Sequence, residues 1–145
     1  AVFDVGCGYN EFKGKIDNLI GIDPYNDLAD FKTGTLDYKT DEKFDVILCL
    51  GSVNFGNRDK IIAEMEKCVE LLADGGTMFF RVNPGVQHDK PEAKWIEFYG
   101  WNVPFIIELS NMFDLDILDI RDDTNQRKYF ILRKKLTNLA KESKI

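Results

Sequence analysis

Apolar residues in this chain come in short blocks whose spacing alternates between the periods of strand and helix. Ala1-Val2-Phe3-Asp4-Val5 is a compact, mostly apolar run that leads directly into Gly6 and Gly8. Such a pattern predicts a buried parallel strand that ends in a tight turn. Leu19-Ile20-Gly21-Ile22-Asp23 is a second run, closed by an acid and Pro24. Phe31 to Leu36 is a weaker third, polar enough to sit near an edge. Phe44-Asp45-Val46-Ile47-Leu48-Cys49-Leu50 is the strongest, apolar enough for a strand buried on both faces. Helical spacing takes over from Asn57 to Ala73, where Ile61, Ile62, Met65, Val69 and Leu72 share a face. Asn57 is suited to cap that helix, and Asp74-Gly75-Gly76 to stop it. Thr77 to Val82 returns to strand, and residues 91–113 read as two helical pieces interrupted around Gly100 and Pro104.

The ending constrains the topology. Leu115 to Arg121 and Lys128 to Leu132 are both strand-like, with six residues between them. A parallel crossover needs a dozen or more, so these two strands pair as an antiparallel hairpin. The spacing thus predicts an α/β domain with a sheet covered on both faces. One segment resists the pattern: residues 10–15 make a poor helix, being short and interrupted by Gly14.

Composition narrows the picture without changing it. A chain of 145 residues, 44% hydrophobic and 30% charged, fits one soluble globular domain with a single core. Its longest apolar runs are far too short to cross a bilayer, and no signal peptide or internal repeat is evident. The chain opens on a strand at Ala1 rather than on a methionine, which leaves room for natural sequence ahead of it. Cys7, Cys49 and Cys68 are odd in number and lack C-x-x-C spacing, and His88 is the only histidine. A disulfide framework and a Cys/His metal site are both disfavoured, and a cytoplasmic setting is expected. Net charge is −6, yet residues 133–145 carry five basic side chains against Glu142 alone. The acidic excess therefore sits in residues 1–132, which disfavours nucleic acid as a partner. Residues 134–145 read as a basic polar tail.

The chemistry gathers at the first glycine turn. In open α/β sheets, ligands bind beyond the carboxyl ends of the strands, next to such turns. A dinucleotide site would want G-x-G-x-x-G, but the third glycine position holds Glu11, whose carboxylate would repel a pyrophosphate. No G-x-x-x-x-G-K-[ST] occurs anywhere, which excludes a P-loop. Asp4-Val5-Gly6-Cys7-Gly8 closely resembles the first motif of class I S-adenosylmethionine-dependent methyltransferases. Ile20-Gly21-Ile22-Asp23 resembles the second, Phe44 to Leu50 the fourth strand, and Ala73-Asp74-Gly75-Gly76-Thr77 the turn into the fifth. The terminal hairpin matches as well. The resemblance covers residues 1 to about 133 and implies a doubly wound, mostly parallel seven-stranded sheet with an antiparallel C-terminal hairpin. It implies S-adenosylmethionine as cofactor and methyl transfer as activity. Cofactor contacts would then come from Asp4, Gly6, Cys7, Gly8, Tyr9 and Asn10 at the first turn. Asp23 would serve the ribose, with Pro24 beside it at the cofactor, Leu36 and Asp37 the adenine, and Leu50, Gly51 and Ser52 the amino-acid end. Asn10 stands where the family usually has a small residue, and asparagine tolerates the left-handed backbone. The sequence resembles a compact subgroup with a shortened first helix, in which Phe12 and Lys13 line the site.

The acceptor is not written in a motif. Gly51-Ser52-Val53-Asn54-Phe55 lacks the prolines of [DNS]-P-P-[YF], and no Pro-Cys pair occurs. Arg81, Asn83 and His88 are candidates for the acceptor side: Arg81 as an anion anchor or a structural ion pair, His88 as a base. Trp95, Tyr99 and Trp101 fit either a pocket cap or the core. A small-molecule or protein acceptor is favoured over nucleic acid, with no membrane role. Two alternatives stand beside this reading: a catalytically silent cofactor-binding scaffold, and an aminopropyl transferase on the same fold.

Overall fold

The computed structural model describes residues 1–82, 100–124 and 127–136. Its framework is one sheet of six strands: β1 (Val2–Val5), β2 (Leu19–Ile22), β3 (Phe44–Leu50), β4 (Leu72–Val82), β5 (Leu115–Asp122) and β6 (Lys128–Lys134). In space they run β2-β1-β3-β4-β6-β5. The first four are parallel to one another, and β6 returns antiparallel between β4 and β5. The antiparallel hairpin expected from its short connection is present.

Phe31 to Leu36 departs from expectation. It forms no strand and keeps a single bridge, Ile22 to Phe31. Thr33 and Gly34 follow, and the amides of Asp37 and Tyr38 both donate to the Gly34 carbonyl, so local turns take over the backbone hydrogen bonds. Six strands therefore stand among the described residues where seven were expected. Nor does any helix join β1 to β2; residues 6–18 cross over as successive turns, as the break at Gly14 foreshadowed.

The helix after β3, α1 (Arg58–Leu71), is capped by Asn57, whose side chain accepts from the Lys60 amide at 3.0 Å. It ends before the expected Asp74-Gly75-Gly76 stop, because Leu72 already lies in the core and pairs with Phe44. The register then jumps from Phe44↔Leu72 to Val46↔Thr77, so the glycines sit in a bulge inside β4. In α2 (Val103–Met112), Pro104 falls in the first turn, behind the Asn102 cap. There its missing N–H costs nothing, so it opens the helix instead of breaking it.

Strand alternation places Phe3, Ile47, Met78 and Leu132 on one face, with Val5, Cys49, Phe80 and Phe130. Both helices cover that face. Cys68 of α1 meets Cys49 of β3, and Phe105 of α2 packs edge-on to Trp101, which lies over Phe80 and Phe130. Among the described residues no helix covers the opposite face, where Leu48, Phe79 and Ile131 alternate.

Candidate functional site

The carboxyl ends of β1, β2 and β3 converge, and the residues leaving them build the site. Gly6 follows β1 with φ +67°, Gly8 has φ +57° and Asn10 φ +60°. A Cβ on Gly6 would collide with Ser52 Cβ, so this glycine is what lets the first turn pack against the exit of β3. The turn is tied to its other neighbour by the Cys7 amide, which donates to the Ile22 carbonyl at 2.8 Å. Asp23, at the end of β2, has its carboxylate held by two backbone donors: the Gly8 amide to Oδ2 at 3.1 Å and the Tyr25 amide to Oδ1 at 2.8 Å. Each oxygen keeps a lone pair to offer.

These three exits, with the turn at residues 33–37 and the first half of α1, enclose a cavity of about 670 Å³. That is the size of a small-molecule site. Of the residues singled out in the sequence, Gly6, Asp23, Pro24, Leu36, Asp37, Leu50, Gly51 and Ser52 line it together. The lining also takes in Ile22, Tyr25, Thr33, Gly34, Thr35, Phe55, Lys60 and Glu64, which sequence reasoning did not assign to the site. For Glu64 a signal existed: it interrupts the buried stripe of Ile61, Met65, Cys68 and Leu71 on α1.

The remaining residues of the first turn lie outside the lining. Asp4 is buried within the sheet, 4% exposed. Burial, and then the charge of Asp23, raise its pKa to about 6. Cys7 is pushed up to about 11, by burial first and then by Asp4, so its thiol stays protonated at neutral pH. Tyr9 is exposed to solvent. Asn10 is buried and donates to the Leu28 carbonyl at 3.1 Å and to Asp30 at 3.5 Å. Phe12 and Lys13 do not line the cavity either. The Lys13 ammonium donates to the Leu19 carbonyl at 2.6 Å and pairs with Asp30 at 3.0 Å.

On the expected acceptor side, the Arg81 Nε donates to Asp123 at 2.6 Å, joining the end of β4 to the β5–β6 connection. Trp101 is fully buried, and its indole N–H donates to the Val53 carbonyl at 3.0 Å, a core role. Asn83, His88, Trp95 and Tyr99 lie outside the described residues, as does the basic tail from residue 137 onward. Among the described residues no cluster of His, Cys, Asp or Glu is arranged to hold a metal ion.

No protein-family model matches the chain, and no curated protein matches it in sequence. Solved structures do match in shape. An S-adenosylmethionine-dependent methyltransferase from Clostridium acetobutylicum superposes with a TM-score of 0.70 at 14% identity, over 92% of this chain and 83% of its own. The N-methyltransferase NodS of Bradyrhizobium japonicum, in complex with S-adenosylhomocysteine, gives 0.66 at 16% identity, over 92% and 76%. The 1,6-didemethyltoxoflavin-N1-methyltransferase of Burkholderia thailandensis gives 0.72 at 14%, over 92% and 70%. At such identities the likeness establishes the fold: this chain has the fold of class I S-adenosylmethionine-dependent methyltransferases.

Proposed function

We propose that the chain binds S-adenosylmethionine in the cavity at the ends of β1, β2 and β3, and transfers its methyl group to a small-molecule or protein acceptor. The observation that carries this reading is the placement of Asp23. Its carboxylate is fixed by the Gly8 and Tyr25 amides and borders the cavity, a ready acceptor for a pair of ribose hydroxyls. The rest of the lining fits the same ligand. Leu36 and Phe55 offer apolar surface for a purine. Ser52 Oγ is buried without a hydrogen-bond partner, so the amino-acid side of the cavity has polar capacity to spare. The solved neighbours that carry S-adenosylhomocysteine support the assignment by shared fold.

The cofactor supplies an activated methyl group on a sulfonium whose leaving group is a neutral thioether. What the protein contributes is therefore alignment, which can account for much of the rate. Gly6 and Ser52 fix the distance between the β1 and β3 exits, and Asp23 fixes the ribose. Asp4 lies behind the first turn, where a carboxylate attracts the cofactor ammonium. The acidic balance outside residues 133–145 weighs against a polyanionic acceptor. Three free thiols fit a reducing, cytoplasmic location.

Isothermal titration with S-adenosylmethionine and S-adenosylhomocysteine tests the reading. Binding of both is expected, and binding of neither overturns it. Incubation with radiolabelled S-adenosylmethionine and panels of amine, hydroxyl and protein acceptors then tests transfer. Tight binding with no transfer to any acceptor would favour a cofactor-binding scaffold.

A further inference from the structure

α1 and α2 lie on the same face of the sheet but turn different surfaces to solvent. Along α1 the exposed positions are all charged: Arg58, Asp59, Lys60, Glu66 and Glu70. That is the outer face of a helix at home in water. Along α2 the exposed positions include Val103, Ile107 and Met112. Glu108 and Asn111 are the polar side chains among them, and Glu108 pairs with Arg58. The inner side of α2 is apolar too, with Phe105, Ile106 and Leu109 in the core. A helix apolar on both sides is ordinarily buried on both. Beside it, at the edge of the sheet, β5 adds Ile117 and Leu118. Ile117 pairs with Leu132 and so lies on the face that α2 covers, and Leu118 is the extra residue of a bulge. Ile107 is 45% exposed and Leu118 48%, so both are open to contact.

Charge says what fits there. Residues 114–135, which hold the β5–β6 hairpin, carry six basic and five acidic side chains, while residues 1–113 carry eleven basic and nineteen acidic. Within the hairpin these charges are matched in place, Asp114 with Lys135 at 2.8 Å and Asp116 with Arg133 at 3.6 Å. Two copies of so acidic a chain repel each other, and least where the charge is balanced. A bilayer or a polyanion would instead want a basic excess, which this face lacks. We propose that the outer face of α2, with Ile117 and Leu118 of β5, is an interface between two copies of this chain, packed about a two-fold axis. A two-fold contact sets the same apolar face against itself and closes at two. The bulge and charges of β5 discourage the open-ended growth of an exposed sheet edge. The interface lies three strands from β3, about 14 Å across the sheet. The cavity at the ends of β1, β2 and β3 therefore stays open in the dimer, and the inference does not depend on what that cavity binds.

Sedimentation equilibrium on the full chain tests it. At about 50 μM, where a micromolar interface is populated, the weight-average mass should approach twice the chain mass of 16.7 kDa and fall toward it on dilution. Ile107→Glu and Leu118→Lys each place a charge in the contact, and each should weaken the dimer by roughly tenfold or more. Leu28→Glu, at a more exposed apolar residue of the crossover after β2, should leave it unchanged. Circular dichroism checks that each variant is folded. Hydrogen exchange on the wild type gives a second reading that needs no variant: protection of α2 and β5 should rise with protein concentration. A wild type that stays monomeric at this concentration, leaving the face to some other protein, overturns the inference. So does a dimer that survives both charged substitutions, one that Leu28→Glu weakens as much, or protection that rises elsewhere but not in α2 and β5.

Discussion

In the proposed cofactor site, Asp4 sets binding of the cofactor ammonium against stability in one side chain. Its pKa is raised to about 6, by burial first and then by Asp23. An acid whose folded pKa is raised favours the fold when protonated, so its carboxylate destabilises the ligand-free protein above about pH 6. The relief grows as pH falls toward the unfolded value near 4. Asp4→Asn should accordingly stabilise the free protein by about 2–3 kcal/mol at pH 7.5, with the difference gone below about pH 4. Urea unfolding of both proteins at several pH values checks this. The same change should weaken S-adenosylmethionine, and wild-type affinity should fall as pH drops through 6, because the protonated acid no longer attracts an ammonium. At Asp23, substitution by Ala should lose roughly 1–3 kcal/mol of cofactor affinity through hydrogen bonds to the ribose. Unchanged affinity in calorimetry would mean that the ribose lies elsewhere. Gly21 carries a different constraint: a Cβ there would overlap Asn10 Oδ1 and the Cys7 side chain. Gly21→Ala should cost about 1–3 kcal/mol of stability in the same urea assay.

Among the elements, the least regular are the crossover turns on either side of β2, where helices are the usual device. Asp30 holds them together. It accepts from the Gly21 amide at 2.8 Å and from Asn10 at 3.5 Å, and it pairs with Lys13 at 3.0 Å. Burial opposes its charge, yet these bonds outweigh it and lower its pKa. Its contribution is therefore present above the unfolded carboxyl pKa and is lost as pH falls below it. Asp30→Ala should destabilise by about 1–3 kcal/mol and increase hydrogen exchange at the Gly21 amide. The helices were far more legible than these turns. Asn57 and the apolar spacing after it marked α1 to within a few residues, since capping and periodicity are local properties. Its C-terminal end was not legible, because Leu72 leaves the helix to pair with Phe44, a partner 28 residues earlier.

At the scale of the molecule, one core joins the parallel strands to the hairpin. Phe80 of β4 stacks on Phe130 of β6 at 4.7 Å between ring centroids, with Trp101 across both. The hairpin is thereby part of the core that supports the cavity wall. A ligand that binds only the folded state stabilises the whole by mass action, about 2.7 kcal/mol at a hundredfold excess over Kd. For a domain of this size, S-adenosylhomocysteine should raise the melting temperature by roughly 6–10 °C under that condition. Differential scanning calorimetry reads it directly, and Asp23→Ala should blunt the shift.

The sequence by itself determined the strands that end in Val5, Ile22 and Leu50, the capped helix after Asn57, and the pairing sense of the final hairpin. These follow from local apolar runs, local caps and the reach of a six-residue connection. It also marked Gly6 and Asp23, because chain exits from buried strands are visible as changes in residue type, whereas Ser52 was singled out only through the family resemblance. Tertiary structure alone decided that Phe31 to Leu36 turns instead of pairing, that Asn10 and Lys13 serve Asp30 instead of the cavity, and that Glu64 reaches the same space as Asp23. Each of these depends on contacts between segments far apart in the chain, where the competition between local hydrogen bonds and distant partners is settled only by packing.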